Sequence, residues 1–267
     1  MDNRMHKARK RFGQNFLHDS RIIDRIVASI APKPGQRLVE IGPGRGALTE
    51  PLLAGTDGEL DVIELDRDLI PILRAQFFDA NNLRIHEADA LRFDYGQLIN
   101  GDEKLRLVGN LPYNISTPLM FHLLNWSSQI HDMHFMLQKE VVERLCAAPG
   151  DNAYGRLGIM MQYHCEARYL FTVPPGSFQP APKVDSAIVR LTPRAKPKTP
   201  ADNVELLGTV VRTAFGQRRK TLRNNLKPLI DAAGIEALGL NPGERAENLA
   251  IADFVNLANA IHRQEKA

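Results

Sequence analysis

Apolar residues recur at Ile22, Ile23, Ile26, Val27 and Ile30, the spacing of one helix face. Asp19 or Ser20 is placed to cap the start of that helix, and Pro32 and Gly35 lie beyond its end. From there the pattern alternates. Arg37 to Ile41, Leu60 to Glu64 and Leu83 to His86 read as strands, and the short apolar run of Leu105, Leu107 and Val108 reads as a buried one. Helical patterns lie between them, one carrying Ala47, Leu48, Leu52 and Leu53, another spanning Leu69 to Phe77. A helix near Pro118 to Leu124 and a strand at Asp132 to Leu137 continue the series, and Leu157 to Tyr163 and Val184 to Leu191 are further strand candidates. Strand alternating with helix predicts an α/β fold with a doubly wound parallel sheet.

Pro193 to Pro200 has linker composition, and beyond it the pattern is helical only. Val204, Leu206, Leu207, Val210, Val211 and Phe215 supply one apolar face, Leu222, Leu226, Leu229 and Ile230 another, and Ile251, Phe254, Leu257, Ala258 and Ile261 a third. The expected organisation is a sheet domain over 1–193 with a basic arm at 1–18, a linker at 194–200 and a helical domain over 201–267.

Composition narrows the class. The 267 residues are 43% hydrophobic and 24% charged, enough to bury a substantial core. No run approaches the length of a membrane span, and the basic N-terminus leads into Phe12-Gly13-Gln14 rather than an apolar signal core. The expectation is a cytoplasmic protein with no membrane partner and no obligate protein partner. Cys146 and Cys165 stand alone, and His131 and His134 fall on opposite faces of an alternating strand, so neither a disulfide framework nor a metal site is expected. The net charge of +3 is uneven: residues 1 to 20 carry five Lys or Arg against two acids, and residues 195 to 267 carry eleven against eight. Such basic ends suit contacts with a polyanion, or solvated tails.

Three stretches carry candidate chemistry. Asn110-Leu111-Pro112-Tyr113 follows a buried strand, where open α/β sheets hold ligands, and offers an amide, a stiffened backbone and an aromatic face. The Asn110 side-chain oxygen and a neighbouring carbonyl can accept both hydrogens of a flat amino group, favouring a more tetrahedral nitrogen, while Tyr113 stacks on the ring. A turn that merely ends a strand would also use these residues. The second stretch, Pro174 to Pro182, holds four prolines around Phe178, which either walls a base or anchors the loop in the core. In the third, Gly42, Gly44 and Gly46 form a loop after the first strand of the sheet, closer-spaced than a dinucleotide fingerprint. Glu64 and Asp89 then end successive strands, placed to take ribose hydroxyls and an adenine amino group. An acidic adenosine site without a phosphate cradle favours S-adenosylmethionine over NAD.

Gly13-Gln14-Asn15-Phe16-Leu17, Glu40-Ile41-Gly42-Pro43-Gly44-Arg45-Gly46-Ala47-Leu48-Thr49, Asn110-Leu111-Pro112-Tyr113-Asn114-Ile115-Ser116 and the run from Phe215 to Leu226 together resemble the bacterial ribosomal RNA adenine dimethyltransferases. The likeness covers nearly the whole chain. It implies a Rossmann-like class I S-adenosylmethionine-dependent methyltransferase sheet with a small all-helical C-terminal domain. The implied activity is methyl transfer to two adjacent adenosines near the 3′ end of 16S rRNA, giving N6,N6-dimethyladenosine. The resemblance also implies that Asn15, Leu17, Gly42, Glu64, Asp89 and Asn110 touch the cofactor, while Asn110, Tyr113 and Phe178 hold the base and Leu111 and Pro112 complete the catalytic motif.

For RNA, the stretch from Arg212 to Lys227 contains six basic residues and no acid. Helical periodicity puts Arg219, Lys220, Arg223 and Lys227 outward along one flank, beside Arg218, with Lys10 and Arg11 as a second group. Three rivals remain: a 23S rRNA adenine methyltransferase, a non-catalytic RNA-binding assembly factor on the same fold, and an NAD dehydrogenase.

Overall fold

The computed structural model describes residues 14–56 and 59–266. Lys10 and Arg11 therefore lie outside the described residues. The chain forms two compact units, one running to Val142 and including Glu166–Pro193, the other made of Glu143–Cys165 and the residues from Arg194 onward. The cut expected near Pro193 is one of the junctions, but Glu143–Cys165 joins the C-terminal helices.

In chain order the first unit holds β1 (Phe16–Leu17), α1 (Ser20–Ile30), β2 (Arg37–Ile41), α2 (Thr49–Gly55), β3 (Leu60–Glu64), α3 (Ile70–Gln76), β4 (Leu83–Glu87), β5 (Leu105–Asn110), α4 (Ser116–Leu123) and β6 (Ile130–Gln138). The chain then makes α5 (Lys139–Cys146) and α6 (Arg156–His164), followed by β7 (Cys165–Val173), β8 (Phe178–Gln179) and β9 (Ser186–Pro193). Seven strands form one sheet in the order β4-β3-β2-β5-β6-β9-β7. The pairs from β4 through to β6 are parallel, and β9 returns antiparallel to β6. The inner strands are legible because a parallel sheet is buried on both faces: every residue of β3, and all but one each in β2 and β5, is buried. Strand order reverses between β2 and β5, which opens a crevice beyond their carboxyl ends.

Helix α1 is fixed at both ends. Its Asp19 cap accepts from the Arg21 amide at 3.1 Å. At its C-terminus Arg106 of β5 donates to the Ile30 carbonyl at 2.6 Å and the Ala31 carbonyl at 3.4 Å, two carbonyls that the helix leaves without partners. The same guanidinium grips buried Asp132 of β6 with two bonds of 2.8 Å. His134, two residues along β6, is buried as well, and burial pushes it down to about 4. His131 on the opposite face is exposed.

The second unit continues with α7 (Val204–Ala214), α8 (Leu222–Asn225), α9 (Ala232–Ala237) and α10 (Ile251–Lys266). Helices α7 and α10 pack together through Leu207, Val210, Val211 and Ala214 against Phe254, Leu257, Ala258 and Ile261, and the Tyr154 hydroxyl donates to the Leu249 carbonyl at 3.0 Å. Two expectations are corrected. Leu157 to Tyr163 is the helix α6, not a strand; Gly158, Ile159, Met160, Met161 and Tyr163 are all buried, so no polar face marks its period. The basic stretch is not one helical flank, because α8 is a single turn and Arg218, Arg219 and Lys220 lie in the loop before it. Buried Asn225 shapes that loop, its amide nitrogen reaching the carbonyls of Ala214, Gln217 and Lys220 at 2.7, 3.1 and 3.4 Å. Among the described residues, no helix is long and apolar enough to cross a membrane.

Candidate active site

The crevice at the switch point is a cavity lined by the carboxyl ends of β2, β3 and β5, the turn after β4, and residues 14–17. Asn15, Leu17, Gly42, Glu64, Asp89, Asn110, Leu111, Pro112 and Tyr113 all line it, so one cavity gathers every expected cofactor residue and the tetrapeptide. Phe178 does not. It is 2% exposed, pairs in register with Leu17 and sits in a core cluster with Val173 and Ile188. Of the two roles open in the sequence, the anchor is the one found.

Backbone approach makes the site possible. Gly42, Gly44 and Gly46 all have positive φ, and a Cβ at Gly44 would press to 3.2 Å from the Phe16 ring. Gly109 is tighter still. A Cβ there would stand 2.5 Å from the Ile41 carbonyl, so only glycine lets β5 bring Asn110 alongside β2 at this point.

Residues 14–18 run along the cavity as a strap with ties to several elements. Gln14 Nε2 donates to Asp66 Oδ2 at 2.9 Å, β1 pairs with β8, and the His18 amide donates to the Ser177 carbonyl at 3.0 Å. Asn110 Nδ2 donates to the Asn15 carbonyl at 3.0 Å. Because a carbonyl can only accept, that contact fixes the nitrogen end of the amide and leaves Asn110 Oδ1 as an acceptor. In the turn that follows, the Pro112 carbonyl accepts from the Ile115 amide at 3.2 Å and the Tyr113 carbonyl from Ser116 Oγ at 3.1 Å. The Leu111 amide is held by the Met136 carbonyl at 3.2 Å, while the Leu111 carbonyl takes no bond within the turn. Two acceptors, the Asn110 amide oxygen and the Leu111 carbonyl, are thus available at the end of β5.

The other wall is acidic. Glu64 is buried, with Oε1 accepting from the Asp66 amide at 2.8 Å and Oε2 from the Gly44 amide at 3.3 Å. Each oxygen keeps lone-pair capacity for a further donor. Burial raises its pKa above the ordinary carboxylate value. Asp89 Oδ1 accepts from the Leu91 amide at 2.9 Å. Sequence reasoning assigned no role to Glu40, which lines the same cavity at 1% exposure. Burial pushes it up to about 7, against the Thr49 hydroxyl bonded to it at 2.5 Å and with a further push from the Glu64 charge. The signal was present as an acid in the middle of a buried strand, a placement that apolar packing does not explain.

The family model described as Ribosomal RNA adenine dimethylase matches residues 5–263. The chain is 61% identical over 256 residues to "Ribosomal RNA small subunit methyltransferase A" of Pseudomonas aeruginosa, covering 96% of this chain and 95% of that protein. It is 60% identical to the protein of the same name from Marinobacter nauticus, covering 96% and 92%. Among solved structures it is similar to a dimethyladenosine transferase from Plasmodium falciparum, with a TM-score of 0.76 and 27% identity over 91% of this chain and 95% of that one. The 23S rRNA methyltransferase ErmE is also similar, with a TM-score of 0.73 and 26% identity over 93% and 100%.

Proposed function

The chain belongs to the ribosomal RNA adenine dimethylase family and is an S-adenosylmethionine-dependent rRNA adenine dimethyltransferase; on that premise we propose its substrate and the residues that act on it. The methyl acceptors we infer are the exocyclic amino groups of two adjacent adenosines near the 3′ end of 16S rRNA, in the small ribosomal subunit or its precursor. The observation that carries an amino group as the methyl acceptor is the pair of hydrogen-bond acceptors at the end of β5, with the half-buried Tyr113 ring beside them, and the likeness to proteins named small subunit methyltransferase A supports 16S rRNA as its source.

S-adenosylmethionine fits this cavity by the chemistry of its walls. Glu40, Glu64 and Asp89 offer acceptors and negative charge to hydroxyls, amino groups and a sulfonium, and glycines 42 and 44 let such a molecule lie on the backbone. Glu64 would hold the ribose hydroxyls and Asp89 the adenine amino group, with Asn15, Leu17, Gly42 and Asn110 along the remainder. When bound, the cofactor supplies an electrophilic methyl group.

Everything else falls to the chain. Asn110 Oδ1 and the Leu111 carbonyl accept the two amino hydrogens, which turns the nitrogen lone pair out of conjugation and stabilises positive charge as it develops. Tyr113 stacks on the base, and Pro112 and the buried Leu111 side chain keep the turn rigid. The proton leaves from a nitrogen made acidic by its charge, so no strong base is required. A base within a duplex cannot enter such a cavity, so the target is presented unstacked.

Incubation with small-subunit particles lacking these methyl groups, followed by digestion to nucleosides, should yield N6,N6-dimethyladenosine at two adjacent positions. No dimethyladenosine in these particles, with 23S rRNA methylated in a parallel incubation or with RNA binding intact, would overturn the proposal.

For RNA we infer that the exposed loop at 216–220 and the following turns contact phosphates through Arg218, Arg219, Lys220, Arg223 and Lys227. Arg218 also lies 3.6 Å from Glu247, whereas Arg219, Lys220, Arg223 and Lys227 make no ion pair with a described residue. Replacing Arg219, Lys220 and Arg223 by Ala is expected to weaken RNA binding and flatten the salt dependence of log affinity by about 2–3 units. Unchanged salt dependence in the folded variant would remove this surface from the reading.

The acidic wall makes cofactor affinity pH-dependent. Burial pushes Glu40 up to about 7, so its protonated form persists well above the ordinary carboxylate range, and a cation bound beside it favours the ionised form. Binding then releases a proton, and affinity rises with pH up to about 7 by at most one log unit per pH unit before levelling. Calorimetry in buffers of different ionisation heat measures the release. The Glu40→Gln variant should lose that component, and equal proton release by both proteins would refute the assignment.

A further inference from the structure

The Tyr113 hydroxyl lies 2.9 Å from Ser186 Oγ. Tyr113 stands in the turn that follows β5, and Ser186 opens β9. In the sheet these strands are separated by β6, so the phenol reaches across the carboxyl end of one whole strand to find its partner. Both termini of that reach are fixed. Ser186 is 1% exposed and in register with Gln138 of β6, and the neighbouring Asp185 carbonyl accepts from the Lys139 amide at 3.0 Å. Tyr113 is only half buried and lines the cavity. Burial raises its pKa above the ordinary phenol value, so the hydroxyl stays protonated throughout the neutral range and the bond persists.

A tyrosine ring on a surface turn rotates about two bonds, and a stacking platform must have its face directed before the base arrives. We propose that Ser186 is a positioning residue for methyl transfer, holding the Tyr113 ring by its hydroxyl so that the ring face is presented to the target base. This rests on the reading of Tyr113 as the base platform. Nothing in the tetrapeptide itself supplies the restraint. The carbonyl of Tyr113 is bonded to Ser116 Oγ, which orients the backbone and does not touch the ring. The distal end of the ring is where leverage on its orientation is greatest, and Ser186 is placed there.

The test is a double-variant cycle on the full chain, with single-turnover methylation of small-subunit particles as the readout. Ser186→Ala and Tyr113→Phe delete the same hydrogen bond from its two sides while keeping the ring. Each is expected to lower the transfer rate about tenfold, with cofactor KM unchanged, and the double variant should be no slower than either single one. Ser186→Thr, which restores the hydroxyl, should recover most of the rate. A structural role alone would lower the melting temperature without this coupling and without the split between rate and KM. Near-normal transfer by Ser186→Ala, or losses that multiply in the double variant, overturns the proposal. Tyr113→Ala separates it from its parent: normal transfer in that variant defeats the platform itself, whereas a large loss there with a silent Ser186→Ala defeats only the positioning role.

Discussion

Asn110→Ala is expected to lower the rate of methyl transfer by about a hundredfold to a thousandfold, the scale on which a preorganised polar group at a reacting centre acts. The variant should fold, because Asn110 is half buried at the very end of β5 and contributes its amide to the site and the strap rather than to the core. Its effect on cofactor affinity should be smaller, within about tenfold, since the neutral hydrogen bond to the Asn15 carbonyl that ties the strap is worth roughly 1 kcal/mol. The separation of rate from affinity is the informative part. Single-turnover rates at saturating cofactor, beside calorimetric affinity, measure both quantities. A rate within tenfold of the unmodified protein would mean that the amide oxygen does not orient the attacking nitrogen, and the acceptor pair would have to be abandoned.

The largest effect on stability belongs to Arg106, far from any reacting atom. Arg106→Ala leaves Asp132 buried with its charge uncompensated and strips the Ile30 and Ala31 carbonyls of their donor. Breaking a buried pair in this way costs about 3–5 kcal/mol, a large fraction of the total stability of a typical domain. Replacing both partners, as Arg106→Met with Asp132→Leu, should be considerably milder because no buried charge is orphaned. Denaturant midpoints compare the two. If the single variant lost less than about 1 kcal/mol, the guanidinium would be shown not to lock α1 to the sheet.

How much of this was legible in advance depended on whether burial leaves a one-dimensional trace. Strands 37–41 and 60–64 were readable to the residue because a strand covered on both faces concentrates apolar residues, Leu38, Val39 and Ile41 in one and Leu60, Val62 and Ile63 in the other, in spite of Glu40 and Asp61 among them. The same concentration misled at Leu157 to Tyr163, where a helix buried all around lacks a polar stripe and short length does not tell it from a strand. Strand β7 went unread although Cys165, Ala167 and Tyr169 alternate with Glu166 and Arg168, because Leu170 and Phe171 then break the phase. In the site, the residues that line the cavity followed from strand ends and glycines, which are local signals. Phe178 was undecided because its burial depends on pairing with Leu17, at the far end of the unit's sequence. The basic residues do face outward, but not along one helix: Asn225 reaches back to Ala214 and holds the chain in a loop where apolar spacing suggested a helix.

That buried amide has a consequence for how this surface can change. Shape and charge in the 216–220 loop are assigned to different residues, the path of the chain to Asn225 and the outward character to Arg219 and Lys220. Side chains on such a loop can be exchanged while its course is retained, and the ordering entropy that a flexible loop surrenders on binding has already been spent during folding. The loop is in this sense a fixed socket with replaceable pins, a place where surface charge can drift without disturbing the helices beneath it.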